Sequence, residues 1–114
     1  MQDCLFCKII KGEIKSRKVF ENENVYAFED VNPTAPVHIL IIPKKHFASL
    51  NEMTQEDKNL VGEMCMVAKD VAKDKKIDKT GYRVVFNTGP DAGQAVFHIH
   101  LHLLGGRKFS WPAG

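Results

Sequence analysis

Val96-Phe97-His98-Ile99-His100-Leu101-His102-Leu103-Leu104 sets an imidazole at every second position between apolar side chains, and the run stops at Gly105-Gly106. Strand side chains alternate between faces. The stretch therefore predicts a last strand, Val96 to Leu104, that projects His98, His100 and His102 together and turns Phe97, Ile99, Leu101 and Leu103 into an opposite layer. Imidazole nitrogens left buried and unpaired are costly, so three on one face ask for an anion, a metal or a proton-transfer task.

Working outward, Asn87 to Gly93 is a polar turn of residues that tolerate unusual backbone angles. Its glycine N–H groups and the Gln94 amide come close to the histidines in sequence, where such donors could hold a phosphoryl group. Tyr82 to Phe86 reads as a strand. Before it stands the only long helical pattern, with Leu60, Met64, Ala68 and Val71 on one stripe widened by Val61, Val67 and Ala72. Thr54 with Asp57 three residues on approximates a capping box, and the helix frays through Lys73 to Lys79 and stops by Gly81. Cys65 falls at a mostly apolar helix position and is expected to pack.

Val37 to Ile42 is a strongly apolar strand that Pro43 stops, preceded by the loop Asn32 to Pro36. Val19-Phe20 and Val25 to Phe28 favour strands and flank the turn Glu21 to Asn24. Leu5 to Ile10 has helical spacing and ends at Gly12. The sum is an α+β domain over residues 1–114: a mostly antiparallel sheet with one long and one short helix, the helices covering one sheet face.

At 114 residues and 44% hydrophobic content the chain fits one core, and burial through a dimer would help a molecule of this size. A net charge of +2 is too small to argue for nucleic-acid binding, and the Lys73 to Lys79 run, which contains Asp74 and Asp78, reads as a solvated helix end. Three cysteines make no disulfide framework and suit a reducing compartment. The first residues form no secretory h-region, and no apolar run reaches the roughly 18 to 20 residues of a membrane span. A soluble, cytoplasmic protein is expected. Cys4-Leu5-Phe6-Cys7 has metal-like spacing, yet one such pair supplies two ligands at most and is equally a redox motif.

His98-Ile99-His100-Leu101-His102-Leu103-Leu104 resembles the signature of the histidine-triad superfamily. Gly105-Gly106-Arg107, Trp111-Pro112-Ala113-Gly114, Ile42-Pro43-Lys44-Lys45-His46 and the Gly93-Gln94 pair are similar to the branch of histidine-triad nucleotide-binding proteins, the purine nucleoside phosphoramidases. The likeness runs from the Phe6 region to Gly114. It implies the histidine-triad fold and hydrolysis of a purine nucleoside monophosphate from an amine, with His100 as nucleophile. His102 would bind phosphate oxygens, and His38 would complete the relay with His98. Asn87, Gly93, Gln94 and Ala95 would line the phosphate, Asp30 would accept the ribose hydroxyls, and Phe6, Phe28 and Val31 would bracket the base.

Many relatives carry a serine hydroxyl where this chain has Ala95, which bears on leaving-group preference and rate. The likeness also implies a homodimer joined through Tyr82 to Phe86 and the helix Asp57 to Val71, with Trp111 reaching toward the neighbouring site; Trp111 could equally anchor the tail by burial. Several relatives complete a Cys4, Cys7, His46, His98 tetrahedron with structural zinc, while the chemistry itself requires no cofactor. The competing readings are a dinucleoside polyphosphate hydrolase with the same triad and a non-catalytic nucleotide-binding protein.

Overall fold

The structure, a computed structural model, describes residues 3–114. Its elements run α1 (Leu5–Ile10), β1 (Lys18–Glu21), β2 (Val25–Glu29), β3 (Val37–Pro43), α2 (Lys58–Asp74), β4 (Tyr82–Phe86) and β5 (Leu101–Gly105). Single turns of 3-10 helix at Leu50–Glu52 and Gln55–Asp57 lead into α2. The strands form one antiparallel sheet in the order β1-β2-β3-β5-β4, so the histidine-bearing strand lies between the central β3 and the edge strand β4. This is the α+β arrangement expected.

The helices, however, lie on opposite faces. Val25-Tyr26-Ala27-Phe28 and Ile39-Leu40-Ile41-Ile42 are apolar at successive positions, a pattern that requires cover on both sides of a strand. Val25, Ala27, Ile39, Ile41, Leu101 and Leu103 pack with Met64, Val67, Ala68 and Val71 of α2. Tyr26, Phe28, Leu40 and Ile42 pack with Phe6 and Ile9 of α1. The short helix thus roofs the face that carries His102, which stands opposite Leu40 in the register.

Cys65 does not pack as expected; it is exposed. It stands one residue past Met64, about 100° around the helix from the buried stripe, beside Met66, which is also exposed. The capping pair forms with Asp in place of Glu: the Thr54 N–H and hydroxyl donate to the Asp57 carboxylate at 2.9 and 3.1 Å. The Lys45 ammonium joins the same buried carboxylate at 2.6 Å. Lys45, then the Thr54 N–H, hold the Asp57 carboxyl below its ordinary range, and the ion pair fastens the segment leaving β3 to the start of α2.

The last strand is shorter than the alternation predicts. Pairing with β3 and β4 begins at Leu101 rather than Val96. Phe97 is exposed instead of turning into the core, whereas Ile99, Leu101 and Leu103 are buried. Residues 97–100 run off the ladder because their polar groups are held elsewhere, the Ile99 N–H by the Phe47 carbonyl at 2.8 Å. At the other end, a Cβ on Gly105 would stand 2.5 Å from Cδ1 of the buried Ile77. One on Gly106, at φ +89°, would stand 2.9 Å from Cβ of Pro36, so the strand must leave the sheet through glycine. Tyr82 and Val84 of the edge strand are exposed. Among the described residues no helix is long and apolar enough to cross a membrane.

Candidate active site and metal cluster

The three alternating histidines do not act as one array. His98, fully buried, donates its Nε2–H to the Pro43 carbonyl at 2.7 Å, which leaves a lone pair on Nδ1. That nitrogen lies 3.1 Å from Nδ1 of His46, 3.4 Å from Sγ of Cys4 and 3.6 Å from Sγ of Cys7. Cys7 Sγ is in turn 3.4 Å from His46 Nδ1. Residues 94, 52 and 91 apart in sequence thus meet at four donor atoms, with Cys4 also accepting the Cys7 N–H as the cap of α1.

A cation between the two ring nitrogens would take a lone pair from each, whereas without one a His46 Nδ1–H can donate to His98 Nδ1 at 3.1 Å. Around a tetrahedral zinc with Zn–S of about 2.3 Å and Zn–N of about 2.0 Å, neighbouring donors stand roughly 3.3 to 3.8 Å apart. The separations here match that frame, so the residues fit the metal. Burial, with Cys4 alongside, pushes the Cys7 thiol up, and a cation would let both thiols ionise.

The other half of the run brings His100, His102 and His38 together. His100 donates its Nδ1–H to the His98 carbonyl at 2.8 Å, so its Nε2 carries the free lone pair. The Thr34 N–H donates to His38 Nδ1 at 3.1 Å, placing the proton of neutral His38 on Nε2, which reaches His102 Nδ1 at 2.9 Å. His102 therefore keeps its own proton on Nε2. One imidazole offers a nucleophilic nitrogen and its neighbour, with ring centroids 5.0 Å apart, offers an N–H donor. Asp30 Oδ2 stands 3.3 Å from His38 Nε2, while Asp30 Oδ1 accepts the Asn32 N–H at 2.8 Å.

Burial favours the neutral form of each ring. It pushes His102 down to about 4, with His100 and His38 adding to the effect and Asp30 opposing it. His98 is likewise pushed down to about 4 by burial against the pull of the Pro43 carbonyl. His100 is lowered by burial, partly offset by its bond to His98 and by Asp30, and His38 is lowered by burial against Asp30. The nucleophilic nitrogen is thus unprotonated at neutral pH.

Around this pair the expected residues divide. Phe6 meets His100 edge-on at 5.1 Å and Phe28 at 5.7 Å between centroids. Both phenylalanines are buried, so they back the site more than they open to a ligand. Val31 is 86% exposed and free to cover a ring. Gln94 is buried with its side chain committed: Nε2–H groups go to the Ala48 and Val96 carbonyls at 2.6 and 3.1 Å, and Oε1 accepts the Gly89 N–H at 3.0 Å. It braces the loop. Gly93 adopts φ +81° and is exposed with Ala95, while Asn87 is half-buried just past β4. Trp111 is 83% exposed within the single chain, so this chain's own core does not anchor the tail. Arg107 donates to the Thr34 carbonyl through Nε and Nη2 at 3.2 and 3.1 Å, a tether for the loop whose N–H sets His38.

Sequence reasoning missed the groups that choose the tautomers, the Thr34 N–H and the Pro43 carbonyl. They are main-chain atoms that any residue could supply at those places, and no side-chain pattern marks them.

A family model described as scavenger mRNA decapping enzyme C-term binding matches residues 3–110. A 14 kDa zinc-binding protein of Zea mays is 50% identical over 112 residues, covering 96% of this chain and 87% of that protein. The crystal structure of a HIT family hydrolase from Legionella pneumophila Philadelphia 1 superposes with a TM-score of 0.96 at 50% identity, covering 98% of this chain and all of the other. The crystal structure of a histidine triad nucleotide-binding protein from Candida albicans gives 0.83 at 39% identity over 98% of this chain and 85% of the other. Matched from end to end in sequence and in fold, the chain belongs to the histidine-triad (HIT) family.

Proposed function

We propose that the protein is a hydrolase that releases a purine nucleoside monophosphate from an amine through a nucleotidyl-histidine on His100. The observation that carries this reading is the pairing of a neutral His100, its Nε2 lone pair free, with an Nε2–H on His102. Support for nucleotides and hydrolysis comes from the Candida albicans and Legionella pneumophila proteins, named a nucleotide-binding protein and a hydrolase.

His100 Nε2 attacks phosphorus in line, the P–N bond breaks, and the amine leaves with its electron pair and a proton. That proton comes with the substrate amine or through His102 and His38. The His102 N–H steadies a non-bridging oxygen as charge builds. Water then attacks phosphorus and returns His100 to its free form. Asp30 receives the ribose hydroxyls with the carboxylate lone pairs left beside Asn32 and His38, and exposed Val31 covers the base. Asn87, Gly93 and the main chain at Ala95 contribute around the phosphate, with Gln94 holding their loop in shape.

Mass measurement of protein quenched with a nucleoside phosphoramidate tests this directly. The expected result is a nucleotidyl adduct on His100, and an unmodified His100 during active turnover would overturn it. Side-by-side turnover against a diadenosine polyphosphate separates the reading from phosphoanhydride cleavage, where strong preference for the polyphosphate reverses the assignment.

Cys4, Cys7, His46 and His98 would hold zinc as a structural ion tying α1 to the last strand, a reading supported by the name of the Zea mays relative. Metal analysis of protein purified without chelators should find about one zinc per chain. The assembly is a homodimer joined through the outer edge of β4. Val84 and Tyr82 are exposed on that edge strand, and Met66 and Cys65 are exposed on α2. Val84→Asp should give a monomer in sedimentation, and an unchanged dimer would displace the interface from this edge.

A further inference from the structure

Resting on the hydrolase reading, we infer that Arg107 is a positioning residue: from the C-terminal tail it braces the loop 31–36, two of whose N–H groups orient Asp30 and His38. That loop has little else to hold it. Val31, Asn32, Pro33 and Thr34 are exposed, and only Ala35 is anchored by burial. Among the described residues, 31–36 make no hydrogen bond from main chain to main chain. Toward the site, the Asn32 N–H goes to Asp30 Oδ1 at 2.8 Å and the Thr34 N–H to His38 Nδ1 at 3.1 Å. Those bonds orient the two side chains only while the loop itself is fixed from outside.

Arg107 supplies that support. Its Nε and Nη2 both donate to the Thr34 carbonyl, at 3.2 and 3.1 Å, and its Nη1 donates to the Lys108 carbonyl at 3.1 Å. All three nitrogens thus serve main-chain carbonyls, the pattern of a brace rather than of an anion ligand. The residue before it lies against the same loop, since a Cβ on Gly106 would stand 2.9 Å from Cβ of Pro36. The guanidinium is itself held flat, its Cζ 4.2 Å from the centre of the Phe109 ring. Arg83 of β4 stands 5.0 Å from that ring and donates through Nη2 to the Ser110 carbonyl at 3.0 Å. Arg83 and His38 both face Leu104 in the register, one from each side. The tail turning back at Gly106 therefore spans the end of the sheet, from β4 to the loop before β3. A planar fork can lie on an aromatic ring and donate twice to one oxygen, which an ammonium cannot. Without the brace the loop shifts and carries His38 with it, and His38 loses its alignment on His102, now 2.9 Å away. A displacement of about 1 Å far from the chemistry can cost about 100-fold in rate.

The test compares wild-type protein with Arg107→Ala and Arg107→Lys, by hydrogen exchange of the Thr34 amide and by turnover of a nucleoside phosphoramidate. Arg107 is exposed, so alanine removes no core packing. In Arg107→Ala the Thr34 amide should exchange about tenfold faster, the worth of one charge-assisted hydrogen bond, while the amides of β3 and β5 keep their protection. Turnover kcat should fall about 10- to 100-fold. KM should stay within about threefold, because the Asp30 N–H remains on the His38 carbonyl at 3.0 Å. Arg107→Lys should recover little of the loss. Added methylguanidinium, seated between Phe109 and the Thr34 carbonyl, should restore part of the kcat of Arg107→Ala. If that variant fails to fold, Phe109→Leu carries the same measurements with a smaller expected loss. Undiminished kcat overturns the inference, and so does a fall in kcat without faster Thr34 exchange, which would place Arg107 on the substrate instead. The exchange measurement needs no substrate. Faster Thr34 exchange in protein that turns over no phosphoramidate would therefore sink the hydrolase reading and leave the brace standing.

Discussion

His98 and His102 are the same residue type four positions apart, the first fully buried and the second half-buried, and both pushed down to about 4. Yet they end with opposite nitrogens protonated. The Pro43 carbonyl takes the Nε2–H of His98 and turns a bare Nδ1 toward two sulfurs, while the chain from the Thr34 N–H through His38 fills Nδ1 of His102 and leaves an Nε2–H facing His100. Main-chain atoms at the two ends of β3 thus divide one histidine run into a half that joins the Cys/His cluster, the proposed metal half, and a half that holds His100 and His102, the proposed phosphate half. Shared burial makes all the rings neutral; the backbone decides what each neutral ring can do.

Removing the nucleophile breaks the comparison most severely. His100→Ala should lower kcat/KM by about a thousandfold or more while the protein still folds, because the packing lost is the edge-on contact of one buried ring with Phe6. Near-normal turnover would end the phosphate-half account. Next comes the carboxylate beside that half. Asp30→Asn keeps the shape but removes the charge that meets a ribose diol, and KM should rise about tenfold, in line with roughly 1.5 kcal/mol for a charge-assisted hydrogen bond. A change in kcat alone would move Asp30 from binding to histidine alignment.

A smaller and broader effect concerns pH. His102 titrates near 6.5 when unfolded and near 4 when folded, so between those values the unfolded chain binds the extra proton. Its contribution to stability is complete above about 6.5 and is lost as the pH falls toward 4. His38, lowered for the same reason, acts in the same direction. Asp57 contributes separately and at lower pH: its depressed carboxyl stabilises the fold above its ordinary 3.8, and that support disappears on further acidification. Thermal melts from pH 4 to 8 should therefore slope upward, and His102→Asn should make the slope shallower while His98, His100 and His38 keep their share; an unaltered slope would assign the effect elsewhere. The mildest change is Ala95→Ser, which adds one hydroxyl at the exposed end of the loop. It should raise turnover of poorly departing amines by about two- to tenfold, the worth of one hydrogen bond, and a uniform gain across leaving groups would argue against a leaving-group contact.

Much of this was legible in side-chain pattern. The apolar runs gave the sheet, the Leu60 to Val71 stripe gave α2, and the His98-to-Leu104 signature carried the family. What escaped the sequence was decided by partners distant in the chain. The helices flank the sheet because β2 and β3 are apolar at successive positions, a cue already present in Val25 to Phe28 but not used to assign faces. The late start of the last strand depends on Phe47 and Pro43 capturing polar groups around residues 98 and 99, which no alternation can announce. Cys65 looked buried because its neighbours are apolar, though a single-residue step carries it off the stripe.

Gly105 and Ile77 carry a last consequence, for how this sequence can drift. Every one-base change of a glycine codon to another amino acid adds at least a Cβ, and at Gly105 that atom would fall 2.5 Å from the Ile77 side chain. A side chain at position 105 therefore forces the buried Ile77 side chain to shift. A shorter side chain at 77 removes that strain, so in a library of working variants alanine at 105 should be enriched beside a trimmed residue at 77.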